Sequence, residues 1–288
     1  MECELWPRLY ALVMELGRRL RSSRVRYSDA VIVVVFLWGC LHDRPQVWSC
    51  EPRNWRSTRL KPVKIPSDST LSRRLQSPSV KQFMAALDEA VRNTEGHGLL
   101  SFIDGKPLVV GSCSKDPDAK AGRIAKGMAR GYKLHAIWSN RPVPEAWTVR
   151  PLNENESPVA RLLICQLGGG GYLLGDGQFD VIALHDLAFE HHHQLLTHRR
   201  RGNAKGLGHI RQSPHRLHAI EIHKRDFGRE LLQQRSQIER LFGNATSFAG
   251  GLAPLPSWVR RLSRVSRWVW AKLLINGLRI QHRKRLTA

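Results

Sequence analysis

Hydrophobic positions recur at helical spacing through the first ninety-odd residues. Leu5, Leu9, Leu12, Val13, Leu16 and Leu20 mark one amphipathic stretch, closed by Arg18, Arg19 and Arg21. Ser28-Asp29 predicts a cap for a second helix carrying the apolar run Val31 to Leu41. A loop rich in Pro, Arg and Trp follows, from His42 to Pro66. The segment Pro66-Ser-Asp-Ser-Thr-Leu-Ser-Arg-Arg-Leu75 predicts a short helix from near Ser69. Leu71 and Leu75 lie one turn apart, with Arg73 and Arg74 on another face. A short helix presenting arginines is typical of a helix-turn-helix element; the plainer reading is an amphipathic surface helix. Val80 to Val91 predicts one more helix, and Asn93 to Gly98 a linker.

After Gly98 the period shortens. Leu99 to Ile103 reads as a strand ending in the turn Asp104-Gly105-Lys106-Pro107, with Leu108 to Val110 resuming beyond it. Tyr132 to Trp138 and Ala146 to Val149 alternate apolar and polar residues. Pro158 to Leu167 predicts a helix, Gly168 to Gly171 a turn, and Tyr172 to Asp176 another buried strand. Val181 to Glu190 reads as a helix, Gln194 to Thr197 as a strand, and Leu231 to Phe242 and Trp258 to Ile280 as helices. The Gly202 to Pro214 stretch reads as a mobile basic loop. The expected fold is α/β, a mixed sheet flanked by helices behind a helical N-terminal domain. The expected boundary sets a helical domain at 1–95 against a sheet domain with C-terminal helices at 99–288.

Charge narrows the function. Lys and Arg total 46 against 24 Asp and Glu, a net charge of +22 and an isoelectric point near 10.8. Such a surface attracts polyanions by counterion release, so a nucleic-acid partner is expected. With 42 % hydrophobic residues the chain has enough apolar material for a core. Five cysteines without a C-x-x-C spacing argue against a zinc ribbon or a disulfide framework and fit a reducing cytoplasm. The longest apolar run, Ala30 to Leu41, is too short to span a bilayer, so no membrane is expected.

Two acids occupy matching places. Asp104 and Asp176 each close an apolar run, and each precedes a glycine. A carboxylate so placed is costly unless compensated, and a divalent cation is the usual compensation for adjacent acids on a sheet. Glu239, in Arg235-Ser-Gln-Ile-Glu-Arg240, is the natural third ligand. Phosphodiester exchange fits such a set, because two metal ions activate the attacking oxygen and stabilise the leaving one. The plainer reading of each acid alone is a cap or turn residue.

Four blocks together carry a resemblance: Ser101-Phe-Ile-Asp-Gly-Lys-Pro107, Gly131-Tyr-Lys-Leu-His135, Leu173-Leu-Gly-Asp-Gly-Gln-Phe-Asp180 and Arg235-Ser-Gln-Ile-Glu-Arg-Leu-Phe-Gly243. In content, order and separation they resemble DDE transposases of bacterial insertion sequences, over roughly Leu99 to Ile280. The resemblance implies a ribonuclease H-like fold, Mg²⁺ as cofactor with Mn²⁺ as substitute, and DNA cleavage and strand transfer at terminal inverted repeats. It implies as partners double-stranded DNA, both inverted repeats and target, and a homodimer in the synaptic complex. A cytoplasmic, nucleoid-associated location follows. Asp104, Asp176 and Glu239 match the catalytic triad, and Arg235 matches the arginine of the family's Tyr…Arg…Glu…Lys signature. The signature's tyrosine falls at Leu232 and its lysine at Thr246, so either activity is reduced or Lys133 and Arg240 take over those contacts. A repurposed, non-catalytic DNA-binding descendant is the alternative. The short interval from Asp176 to Glu239 predicts a compact version without a large β-insertion.

Further DNA contacts are expected from Lys106, Arg73, Arg74, Arg130, Arg199 and Arg200, with Arg201, Lys115, Lys120, Arg123 and Lys126 lining the path. His191, His192, His193 and His198 read as a solvated cluster rather than a metal site. In the tail, Trp258, Trp268 and Trp270 are expected to pack a helix on the core while its basic residues face solvent or DNA.

Overall fold

The computed structural model describes residues 2–20, 25–93, 96–199, 207, 211–247 and 251–287. Two compact units divide the chain: Met1–Thr94, Phe248–Leu252 and Arg267–Ala288 in the first, Glu95–Ser247 and Ala253–Ser266 in the second.

The first unit is helical. It holds α1 (Glu2–Arg19), α2 (Asp29–Leu41), α3 (Gln46–Ser49), α4 (Asp68–Arg74), α5 (Pro78–Arg92) and, from Arg267 on, the last helix, α11 (Leu262–Thr287). Ser28, Ser67 and Ser77 cap α2, α4 and α5 through their side-chain oxygens. Helix α2 is buried almost all round, as its unbroken apolar run requires. The expected Pro/Arg/Trp loop is organised: it contains α3 and the 3-10 turn Pro52–Trp55. Trp38 and Trp55 stack at 4.8 Å, and their indole N–H groups donate to Asn54 O and Ser49 O.

The tail departs from expectation. The sequence assigned it to the 99–288 domain, yet from Arg267 it belongs to the helical unit. Trp268 and Trp270 are buried, whereas Trp258 precedes the helix and is 41 % exposed. Arg267, Lys272 and Arg279 are buried rather than facing solvent. Lys272 Nζ donates to Cys40 O at 2.7 Å and Asp43 Oδ1 at 2.6 Å and lies over the Trp268 ring.

The second unit contains β1 (Leu100–Val109), β2 (Lys120–Ile124), β3 (Gly127–Trp138), β4 (Ala146–Pro151), α6 (Glu156–Ile164), β5 (Gly171–Gly175), α7 (Ile182–Glu190), β6 (His193–Thr197), α8 (Pro214–Lys224), α9 (Asp226–Gln233) and α10 (Gln237–Ser247). Its mixed sheet has the order β2–β3–β1–β5–β6, with β4 pairing β3. Strands β1, β5 and β6 are parallel, and β3 runs antiparallel to β1. This is the ribonuclease H-like arrangement, with helices on both faces. One face carries the core of Ile103, Ile137, Leu173 and Leu195 with Leu163 and Ile164 of α6 and Leu184 and Ala188 of α7. The other receives α10, whose Phe242 meets Trp138 edge-on. The tight entry to β5 depends on glycine: Gly171 has φ +135°, and a Cβ there would collide with the Leu99 carbonyl.

The expected turn at Asp104 is strand. Residues Phe102 to Val109 make eight consecutive cross-strand pairs with β3, which override the turn propensity of Asp-Gly. Strand β5 pairs β1 only as far as Phe102, so Pro107 falls where β1 has an open edge and a missing N–H is tolerated. Strand β2 and helix α8 had no counterpart in the sequence reading, and the helix expected over Leu231 to Phe242 is divided among the end of α9, the 3-10 turn Gln234–Ser236 and the start of α10. Between Asp176 and Glu239 the described residues hold one strand and helices α7 to α9, with no β-insertion.

Candidate active site

The parallel register sets Leu173 beside Ser101 and Leu174 beside Phe102. Two residues further come Asp104, still within β1, and Asp176, just past the end of β5, near enough to raise the Asp104 carboxyl. Alternation along β1 puts Asp104 on the face opposite the Ile103 core. Asp104 is half-buried, and burial pushes its carboxyl up to about 6. The Gly105 N–H, donating at 2.7 Å, pulls it down; nearby Asp176 pushes it up again and Arg235 lowers it. Asp176 caps the 3-10 turn Gly177–Phe179, its Oδ1 accepting from Gln178 N at 2.8 Å.

Helix α10 packs on β1 from the same side and carries Glu239. The glutamate side chain is 70 % exposed and stands 4.0 Å from Arg235, in the 3-10 turn Gln234–Ser236. Among the described residues no three His, Cys, Asp or Glu side chains converge closely enough to hold a metal ion. Asp104 and Asp176 suit a divalent cation: two adjacent carboxylates, one desolvated with a single donor. Glu239, exposed beside Arg235, does not join them in this arrangement.

The expected basic contacts divide. Lys106 shares the face of Asp104, two positions along β1. Arg240 and Arg73 are exposed, and so is Arg199; Arg200 lies outside the described residues. Three cations are engaged elsewhere. Lys133 is on the opposite face, where its Nζ meets Glu156 Oε1 of α6 at 2.6 Å, and both side chains are largely buried. Arg74 pairs with the buried Asp29. Arg130 donates to Ala119 O at 2.9 Å and Asp116 O at 2.7 Å. Lys133 therefore does not take over a contact beside Asp104. Leu232 is buried, and Thr246 Oγ1 bonds back to Phe242 O, so neither substitutes for the residue it replaces.

The sequence reading missed one structural centre. Asp180 receives both Arg216 nitrogens, Nε on Oδ1 and Nη2 on Oδ2, each at 2.7 Å, and His185 Nε2 lies 3.3 Å from Oδ1. This bidentate pair fixes α8 to the turn that follows Asp176. Only Asp180's place in the third block signalled it.

The ribonuclease H-like sheet carries one acid within a central strand and a second just past the end of the neighbouring one. The chain belongs to the transposase DDE domain family, whose sequence model matches residues 95–274. Members of this family act with divalent metal ions. No curated protein matches the chain significantly. A solved structure it is similar to is a piggyBac transposase synaptic complex with hairpin DNA, at 11 % identity. The match covers 96 % of this chain and 75 % of that one, with a TM-score of 0.45. Among the described residues no helix is long and apolar enough to cross a membrane.

Proposed function

We propose that the chain is an active transposase of a bacterial insertion sequence, cutting duplex DNA at the element's inverted repeats and joining the ends to target DNA. The observation that supports this is the nearness of Asp104 on β1 to Asp176 just past the end of β5, which raises the Asp104 carboxyl, with Asp104 desolvated beneath the helix that bears Glu239. Asp104, Asp176 and Glu239 hold the cation, Mg²⁺ or in its place Mn²⁺. Bound there, divalent ions would activate the attacking oxygen and stabilise the leaving one. Arg235, beside Asp104 and one turn before Glu239, neutralises a non-bridging phosphate oxygen, and its transfer to phosphate frees Glu239. The net charge of +22 draws in the duplex, and Lys106 and Arg240 contact its backbone. Two DNA ends must be brought together, which a homodimer does. The helical unit, with exposed Arg73 on α4, is the candidate for end recognition.

The test is nicking of a plasmid carrying the DNA that flanks the gene, with Mg²⁺, Mn²⁺ or chelator. Metal-dependent nicks at the repeat ends are expected; binding without cleavage in every metal would refute the enzyme. The second reading, a repurposed DNA-binding protein, is favoured by buried Leu232, self-bonded Thr246 and the exposed Glu239, which lies beside Arg235.

A further inference from the structure

Strands β2 and β3 extend beyond the sheet as a two-stranded ribbon. Residues Lys120 to Gly131 contain four cations and no acid, namely Lys120, Arg123, Lys126 and Arg130. Arg130 is tied to the base of the ribbon through Ala119 O and Asp116 O. Lys120, Arg123 and Lys126 are exposed, and no carboxylate pairs with them among the described residues. Apart from Ile124 and Met128, the rest of the ribbon is small: Ala121, Gly122, Ala125, Gly127, Ala129 and Gly131 keep it narrow. One face is closed, because a Cβ on Gly122 would strike the Leu152 backbone. The other face points outward with the cross-strand pair Arg123 and Met128, the methionine 71 % exposed. An unpaired arginine beside an uncovered thioether, on a slim acid-free ribbon, has no role in the sheet's own packing.

We propose that this hairpin enters the major groove of the DNA duplex, with Arg123 and Met128 against base edges and Lys126 at a phosphate. The inference rests on the reading of the protein as a DNA-processing enzyme and adds the surface and the groove. A major groove about 12 Å wide admits a two-stranded ribbon, whereas a minor groove about 6 Å wide does not. Arginine reads guanine there and an apolar side chain contacts thymine methyls. Position agrees. Ala136 pairs with Asp104, and Gly127 at the ribbon's tip is nine residues away along the same strand. At about 3.4 Å per residue that is about 30 Å, close to one turn of duplex from the acids.

The experiment uses the full chain and a labelled mixed-sequence duplex about four helical turns long, read by fluorescence anisotropy over a salt series. Arg123→Ala with Lys126→Ala is expected to weaken binding about tenfold and to lower the slope of log affinity against log salt by about 0.9, for the one phosphate contact that Lys126 gives up. Thermal unfolding should be unchanged because both side chains are exposed; Arg123→Gln with Lys126→Gln repeats the test should the first variant not fold. Glucosylated hydroxymethylcytosine, which fills the major groove, should weaken the wild type and leave the variants indifferent. Unchanged affinity and slope in the variants would overturn the proposal, as would indifference of the wild type to glucosylation. Equal dependence on the pair for a double-stranded RNA of the same sequence would assign the ribbon to RNA and overturn it too. Normal nicking by a wild type whose hairpin variants bind equally well would refute the hairpin alone. A wild type that binds no duplex would refute this and the proposed function together.

Discussion

Asp116 and Asp104 are acids of the same unit, both withdrawn from water, and their surroundings differ in one respect. Asp116 accepts from Tyr132 Oη at 2.6 Å, from Arg261 N at 3.0 Å and from Asp118 N at 3.2 Å. Burial pushes its carboxyl up, and these donors more than offset it, leaving it below the usual range. Asp104 has one donor, a neighbouring acid, and a carboxyl pushed up to about 6. The first acid is complete within the protein: it joins the loop after β1 to the start of α11. The second has only Arg235, in the turn before α10, to offset burial and Asp176, on the face where α10 packs. An acid satisfied by protein donors is structural, and one kept unsatisfied beside a second acid is suited to an external cation.

The largest expected effect separates the two by activity. Asp104→Asn should reduce metal-dependent strand cleavage by at least about a thousandfold, about 4 kcal/mol in the barrier. Binding in a mobility-shift assay should be unchanged or tighter, because a negative charge leaves a basic groove. Asp176→Asn and Glu239→Gln should behave alike. Asp116→Asn should leave cleavage by the folded protein within a few fold; if it silenced cleavage as fully, the contrast would collapse.

Next comes stability. Asp116→Ala strands three donors and should cost about 2–4 kcal/mol in denaturant unfolding. Its folded carboxyl is depressed, so its contribution is present above the unfolded value and is lost as pH falls through the folded one. The gap between wild type and variant should therefore close below about pH 4. A gap independent of pH would mean that packing, not ionisation, is at stake.

A smaller effect is expected at Arg235. Arg235→Ala should lower cleavage about tenfold to a hundredfold while changing affinity by less than about threefold, since its contact strengthens as charge develops on phosphate. Equal losses in both would make it a general affinity residue. Smallest, and opposite in sign to Asp116, Asp104→Asn should stabilise the metal-free protein at pH 8 by about 1 kcal/mol, since it removes a desolvated charge facing Asp176. Loss of stability in that variant would place Asp104 with the structural acids.

Local signals were legible where neighbours in the chain decide the outcome. Serine caps, the buried run of α2 and the short apolar strands around Asp104 and Asp176 follow from residues a few positions apart. Other features were hidden because their partners are distant. The eight pairs with β3 turn Asp-Gly-Lys-Pro into strand. Glu156 takes Lys133 to the opposite face, and Asp29 takes Arg74. Arg216 lies thirty-six residues from the Asp180 it clamps. Lys133 and Arg74 looked available in sequence because the acids that hold them stand 23 and 45 residues away.

The sequence by itself determined the class of fold, the strongly basic surface and the identity of the acids worth considering, because periodicity, net charge and the spacing of four blocks are properties of the chain alone. Only the tertiary structure decided which acids meet. Parallel pairing of β1 with β5 brings Asp104 near Asp176 just past the strand's end, and α10, packed on β1, carries Glu239 with its side chain exposed beside Arg235. It also decided which cations are spent internally, since a charge taken from water into the fold must find its partner wherever the backbone has placed one.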